Sequence, residues 1–170
     1  MLAGVASLVV LAAGGAVGYL LFPRAQPTVT VSDGTLSVAV PRDWAEHVDT
    51  GTWTPPHADS DFLAISAGDT TEWNAEGSTS PGVFVGLMPG REIPEQMPGH
   101  PECGPASAPD ETLLDGDAAV TVAFSECPGG RVTIERVIQV SQSQLLWIQV
   151  RSEDRGTANT VLDAVHISGM

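Results

Sequence analysis

The chain contains no lysine. Its seven basic side chains are all arginine, they face 21 Asp and Glu residues, and the formal net charge is −14. The arginines are scattered along the sequence, so no basic patch is available to neutralise phosphates. An acidic surface is repelled by nucleic acid and by anionic lipid headgroups. Nucleic-acid binding is therefore excluded, and the charge is expected to serve solubility.

The start of the chain lacks charged side chains, and residues 2–22 are almost wholly apolar. As a helix this segment would be about 30 Å long, which matches the hydrocarbon core of a bilayer. A cleaved signal peptide normally has a basic n-region and a small-residue cleavage site. Because neither is evident, an uncleaved transmembrane anchor over residues 1–23 is favoured, with a signal peptide or a buried core helix as alternatives.

The anchor determines the predicted organisation of the rest of the chain. Residues 24–27 form a short linker, and residues 28–170 form one extracytoplasmic domain that is long enough to bury a core. The expected location is the cell membrane, as a single-pass protein with its C-terminal domain outside the cytoplasm. The alternative is secretion after cleavage. Gly14 and Gly18 form a GxxxG pair, which lets membrane helices approach closely and predicts a homodimer.

Cysteine is scarce, with Cys103 and Cys127 the two in the chain. A structural zinc site uses four ligands, and a zinc deaminase needs a P-C-x-x-C pair that is missing here. Two cysteines in an oxidising compartment most simply form one disulfide, with two free thiols as the alternative. The bond would close a ring of about 25 residues and order the proline-rich stretch 89–111.

Strand-like patterns dominate the remainder of the chain. Two alternating apolar runs flank Asp33-Gly34, which is a strong hairpin signal. Three later runs, separated by short turns, predict an antiparallel meander. The predicted strands cover 28–32, 35–39, 62–67, 82–88, 118–124, 131–140 and 145–151.

Towards the C-terminus the apolar period changes from that of a strand to that of a helix. A closing amphipathic helix is predicted there, and small helices are predicted near Trp44 and Trp73. The fold class is therefore α+β, an antiparallel sheet flanked by helices and preceded by one transmembrane helix. The apolar stripe of the closing helix consists of Ala158, Val161, Leu162 and Val165.

Catalytic motifs are also missing. The sequence has no G-x-S-x-G nucleophile elbow and no phosphate-binding loop of Walker or Rossmann form. Two pairs, Asp59 with Asp61 and Asp115 with Asp117, offer too few oxygen ligands for a calcium loop and fit turns instead. No catalytic residue, cofactor site or metal site is predicted.

A ligand-binding groove is the one site for which the sequence offers candidates. Arg136 interrupts an apolar strand face, where it either pairs with a carboxylate or contacts a ligand. The tryptophans line a groove or, as is common in small domains, fill the core and its rim. The candidate groove residues are Trp44, Trp53, Trp73 and Arg136.

The opening hairpin DGTLSVAVPRDW, residues 33–44, is followed by a strand with a Phe-Val core, a meander and a closing helix that ends VLDAVHI. This arrangement resembles the small PsbP-like domains of actinobacterial envelope proteins. These include LpqN-type lipoproteins and the external ends of some membrane-spanning Ser/Thr kinases. The resemblance covers residues 28–168. It implies a sandwich of an antiparallel sheet flanked by helices, without known catalysis, and it transfers no site residue.

Together these patterns predict a membrane-anchored, extracytoplasmic, non-enzymatic module that binds a protein of the cell envelope or a small ligand. One alternative is a secreted or tethered hydrolase, recognised by a nucleophile hydrogen-bonded to a histidine. Another is a structural accessory of a membrane complex. The histidines available to a hydrolase are His47, His57, His100 and His166.

Overall fold

The computed structural model describes residues 28–168, and this part of the chain is mostly β, with two antiparallel sheets and one α-helix. Two short 3₁₀ turns, Arg42–Glu46 and Pro128–Gly130, connect strands. The remaining elements in chain order are β1 (Thr28–Asp33), β2 (Leu36–Pro41), β3 (His47–Trp53), β4 (Phe62–Gly68), β5 (Gly82–Pro89), β6 (Asp110–Leu114), β7 (Asp117–Cys127), β8 (Arg131–Gln139), β9 (Gln144–Ser152), α1 (Arg155–Asp163) and β10 (Val165–Ile167).

A three-stranded sheet with the order β1-β2-β10 begins with the predicted hairpin. β1 and β2 pair antiparallel, with Asp33 opposite Leu36 across the tight turn. Gly34 has a φ of 55°, a conformation that glycine adopts without steric cost. The Asp-Gly signal in the sequence therefore identified the hairpin, and the turn residues are Gly34 and Thr35.

A seven-stranded antiparallel sheet has the order β3-β4-β5-β9-β8-β7-β6. Its β7, β8 and β9 are consecutive neighbours, so the predicted meander is present. The turn that joins β6 to β7 contains Asp115 and Gly116, whose φ values are 53° and 102°. Asp115 and Asp117 thus lie at a hairpin turn, as the sequence predicted.

The main core lies between the two sheets. We call the side of the seven-stranded sheet that meets the small sheet and α1 its first face. Alternate residues of β5 and β9 are completely buried on this face, including Val83, Val85, Ile148 and Val150. Strong apolar alternation in neighbouring strands produces such a face, because every second side chain points the same way.

Helix α1 covers part of the first face. It starts after Asp154, whose carboxylate accepts a hydrogen bond from the Thr157 backbone N–H at 2.9 Å. Three of the four residues of the predicted apolar stripe are buried in the helix. The fourth, Val165, lies instead in β10, where it pairs with Val38 of the small sheet.

The predicted α+β class is wrong, because residues 28–168 form two antiparallel sheets with a single α-helix. The short helical segment expected near Trp44 is present as a five-residue 3₁₀ helix, Arg42–Glu46, whereas the helix expected near Trp73 is replaced by an irregular loop. A Cβ at Gly68 or Gly82 would stand 2.4 or 2.3 Å from atoms of the Trp73 ring. Two glycines therefore make the niche in which this tryptophan packs. Tertiary packing of one ring, and not helical periodicity, determines the loop.

The predicted transmembrane helix and membrane localisation also require correction. Within residues 28–168, no helix is long and apolar enough to cross a membrane. The segment assigned as the anchor, residues 2–22, lies outside the described residues, as do the linker and the Gly14–Gly18 pair. The single-pass prediction rested on the length of residues 2–22 and their lack of charge.

Candidate binding groove

The second face of the seven-stranded sheet is covered by the loop between β5 and β6, residues 90–109. Strand register places Val122, Glu135 and Gln149 side by side on this face, one on each of β7, β8 and β9. Arg151 of β9 lies on the same face, two residues after Gln149. This face therefore carries ionisable side chains in the middle of the sheet.

Glu135 is the centre of a buried polar cluster, and its exposed fraction is 0%. One carboxylate oxygen contacts Nε2 of His100 at 2.7 Å, and the other accepts the indole N–H of Trp147. A buried carboxylate is costly unless donors surround it. His100 reaches Glu135 from the covering loop, so this contact holds the loop to the sheet.

Arg151 makes a second connection between the loop and the sheet, and it is only 2% exposed. Its Nη2 lies 3.2 Å from Oε1 of Glu102, which also lies 3.2 Å from Nδ1 of His100. Its Nη1 donates to the backbone carbonyls of Trp73 and Ser78 at 3.0 and 2.9 Å. One guanidinium therefore connects β9 to two separate loops.

The predicted disulfide joins Cys103 to Cys127, with an S–S distance of 2.08 Å. It links the covering loop to the end of β7. Next to it, the backbone N–H groups of Gly104 and Ser107 donate to β7 carbonyls at 2.8 Å each. The stretch HPECGP thus uses His100, Glu102 and Cys103 for the same purpose, which is to fix the loop on the sheet.

The charges in the cluster are coupled. Burial acts to lower the pKa of His100, but the hydrogen bonds and charges of Glu135 and Glu102 outweigh it and raise the pKa above 6.5. Burial also raises the pKa of Glu135, against the donors around it. Burial also acts to raise the pKa of Glu102, but hydrogen bonds from the backbone and from His100 outweigh it and lower this pKa. The His100–Glu135 pair therefore binds its proton tightly.

Beside this cluster, the loop and the sheet leave an open groove of about 740 Å³ over β6 and β7. We call it the β6 groove. Its apolar floor includes Val120, Val122 and Leu113, and Ile93 and Met97 of the loop form its wall. Leu113 is 72% exposed, although it is a large apolar side chain in a strand. Leu113 is therefore the part of the floor that is most accessible to another molecule.

The rim of the β6 groove is acidic. Glu92 and Glu95 of the loop and Glu111 of β6 line it, and its lining residues include no arginine. Arg91 precedes Glu92 in the sequence but does not line the groove. The arrangement is therefore an apolar floor bordered by carboxylates, which suits a ligand with both apolar and basic groups.

The three tryptophans predicted as groove residues lie in different places. Trp44 is buried in the main core, and Trp73 is buried in its glycine niche. Trp53 lies near the other edge of the seven-stranded sheet, where it packs against Phe84 and Trp147. The structure does not bring them together.

Arg136, the fourth predicted groove residue, lies on the first face of the sheet. Its Nη1 donates to Asp163 of α1 at 3.0 Å, and its Nε donates to Thr121 Oγ1 at 3.1 Å. The pairing with a carboxylate that the sequence allowed is therefore present. The partner is on the helix and not on a neighbouring strand.

Glu135 and Arg151 were not among the predicted site residues. Glu135 interrupts an apolar strand and Arg151 lies at the end of the next one, and the two strands were predicted neighbours in the meander. Opposite charges on adjacent strands were the available signal. His100 was considered only as a catalytic candidate, because nothing in the sequence indicates that it contacts a residue 35 positions away.

The same cluster offers neither a metal site nor a free acid–base group within residues 28–168. Across residues 28–168, no group of three or more His, Cys, Asp or Glu side chains is arranged to hold a metal ion. Both ring nitrogens of His100 contact carboxylates, and the side chain is 9% exposed. The ionisable side chains His100, Glu102 and Glu135 thus form hydrogen bonds with one another.

Comparison with known proteins gives no assignment: no protein-family model and no curated protein matches the chain. The resemblance to PsbP-like domains therefore remains a prediction.

Proposed function

We propose that the protein is a non-catalytic binding module and that the β6 groove is its binding surface. The observation that carries the proposal is an open apolar floor beside a loop that is fixed by a disulfide and by buried polar contacts. Ligand sites are typically concave and lined mainly by apolar side chains with a few polar groups. Binding residues commonly lie on loops that a rigid scaffold positions.

The hydrogen bonds of His100 support a binding function over hydrolysis. A general base must lie within hydrogen-bond reach of the proton that it removes from a substrate or nucleophile. Here Glu102 and Glu135 take both ring nitrogens, and Glu135 is fully buried. Among the four histidines of residues 28–168, His100 alone makes side-chain hydrogen bonds. None of these bonds goes to a serine, threonine or cysteine.

The fixed loop favours binding because little conformational entropy is lost when a ligand binds to it. A mobile wall would lose conformational freedom each time a ligand bound, and this loss would reduce the affinity. The Cys103–Cys127 bond and the Glu102–Arg151 contact hold the wall of the β6 groove before any ligand arrives.

NMR of methyl-labelled, disulfide-intact protein tests the proposal. A pool of extended peptides that is unbiased in charge is titrated into the full chain. We expect shifts at the methyl groups of Leu113, Val120 and Val122. We also expect Leu113→Asp to abolish binding.

Val48→Asp is the matched control, since Val48 is the other exposed large apolar residue of the described chain, at 43%, and lies on β3. Peptide shifts centred on β3, or equal losses in both variants, would refute the groove as the binding surface. Turnover of ester, peptide or phosphoester substrates that His100→Ala abolishes would refute the non-catalytic class.

A further inference from the structure

We infer that the partner of the β6 groove is an extended polypeptide segment that carries both basic and apolar side chains. The inference rests on the proposed function and adds the chemistry of the partner. Three features of the described chain support it: the charge of the rim, the open edge of β6, and the exposure of Leu113.

The rim determines the sign of the partner's charge. Glu92, Glu95 and Glu111 border the groove, and its lining residues provide no basic side chain to balance them. A cleft lined by one sign of charge concentrates ligands of the opposite sign and speeds their association. An acidic ligand would meet three carboxylates and no counter-charge, so a basic ligand fits best.

The shape of the site determines the conformation of the partner. β6 is the last strand of the seven-stranded sheet, and within residues 28–168 its only strand neighbour is β7. The backbone groups along its outer edge are therefore available to an added strand. Extended peptides bind to such edges through main-chain hydrogen bonds, while alternate side chains enter adjacent pockets. Leu113 offers an apolar contact to the side chains that point into the groove.

Two other occupants fit the charge less well. A second copy of the chain carries the same net charge of −14, so association through an acidic rim is repulsive. The chain's own residues 1–27 contain a single charged side chain, Arg24, against three rim carboxylates. A separate basic segment satisfies the rim better than either of these.

A matched pair of synthetic peptides provides the test. Both are capped and about nine residues long; one alternates arginine with valine, and the other alternates glutamate with valine. Titrated into the full, oxidised chain, the arginine peptide should shift the groove methyl groups and the glutamate peptide should not. The affinity should fall as salt is added, because exposed charge pairs are screened.

Charge-reversal variants locate the interaction. Glu111→Lys and Glu95→Lys should each weaken binding of the arginine peptide by about 25-fold, because each reversal loses one close attraction in water, worth about fivefold, and adds a repulsion of the same size. Glu76→Lys makes the same change in charge on an exposed loop residue outside the groove, and it should leave the affinity unchanged.

Each remaining outcome overturns the inference in a distinguishable way. If the glutamate peptide, or a neutral valine-rich peptide, binds in the groove as tightly as the arginine peptide, the basic partner is refuted while the binding module survives. If no peptide shifts the groove methyl groups, both proposals fail. An equal loss in Glu76→Lys would show that binding follows diffuse charge. A groove-mediated dimer in sedimentation, or a groove occupied by residues 1–27, would assign the surface to this chain itself.

Discussion

The two faces of the seven-stranded sheet are both buried at the centre of the sheet, but by different means. The first face packs apolar side chains such as Ile148 and Val150 against a sheet and a helix. The second face buries Glu135 and Arg151 beneath a loop that has little secondary structure. Apolar packing on the first face is non-directional, whereas the second face combines a smaller apolar cluster around Val122 and Phe124 with hydrogen bonds and ion pairs that require specific partners.

We therefore expect the first face to determine the stability of the domain and the second face to determine the position of the loop. Apolar burial supplies most of the free energy that keeps a domain folded. A buried ionic cluster is weak evidence for net stability, because desolvation offsets much of its attraction. For this protein we expect the cluster to determine where the loop lies, and therefore whether the β6 groove has a wall. Variants of the two faces should differ accordingly.

The largest effect is expected for Arg151→Met. Removing one member of a buried ionic cluster typically lowers the free energy of unfolding by about 3–5 kcal/mol, since charged partners remain buried and uncompensated. Arg136→Met is the matched control, because its partner Asp163 is 67% exposed and such pairs contribute about 0–1 kcal/mol. Urea denaturation of both variants measures the difference. Similar losses for the two arginines would contradict the special role of the second face.

Removal of the disulfide comes next. The double variant Cys103→Ser with Cys127→Ser should lose up to about 3.5 kcal/mol, because the unfolded chain is no longer cross-linked. Limited proteolysis should then cut within residues 90–109 while the sheet remains intact. If the loop were cut no faster than in the parent protein, the cross-link would not be what orders it.

A conservative change on the first face should lower the free energy of unfolding by less than removal of the disulfide does. Ile148→Val removes one buried methylene group and should lower the free energy of unfolding by about 1 kcal/mol. Proteolysis of residues 90–109 under native conditions should not accelerate, because the loop contacts lie on the opposite face. Accelerated loop cleavage in this variant would show that the two faces are coupled.

The smallest of the expected effects is the change of the free energy of unfolding with pH. The pKa of His100 is raised above 6.5 in the folded state, so the folded protein binds that proton more tightly than the unfolded chain does. Stability from this group is therefore complete below pH 6.5 and is lost as the pH rises through the raised value. The raised pKa of Glu135 acts in the same direction.

Urea denaturation at a series of pH values checks this sign. The part of the decline that follows the pKa of His100 should be missing in His100→Ala, and any decline that remains should follow Glu135, whose pKa rises further without the His100 hydrogen bond. His166→Ala serves as the control for loss of an exposed imidazole. A decline that persists unchanged in His100→Ala would assign the pH dependence to another group.

The sequence predicted those elements that local pattern determines. The Asp33-Gly34 hairpin, the meander of β7 to β9 and the Cys103–Cys127 bond follow from turn chemistry, apolar alternation and cysteine count. The expected helix at Trp73 failed because packing against glycines from two strands, which the local sequence does not reveal, shapes that loop.

The candidate site was less predictable for a related reason. The β6 groove exists only where a long loop lies across a sheet, and its wall depends on contacts between residues far apart in sequence. His100 and Glu135 are 35 positions apart, and Glu102 and Arg151 are 49 apart. Neither pair belongs to a motif with a fixed spacing. Composition predicted the acidic character of the surface but not the cleft in which it is concentrated.

Hydrogen exchange at single amides tests the central claim most directly. The amides of Gly104 and Ser107 donate to β7 and report on the loop, whereas the amide of Val150 reports on the core of the sheet. In His100→Ala with the disulfide intact, we predict faster exchange at Gly104 and Ser107 and no change at Val150. Unchanged protection at the two loop amides, or an equal increase at all three, would contradict the account.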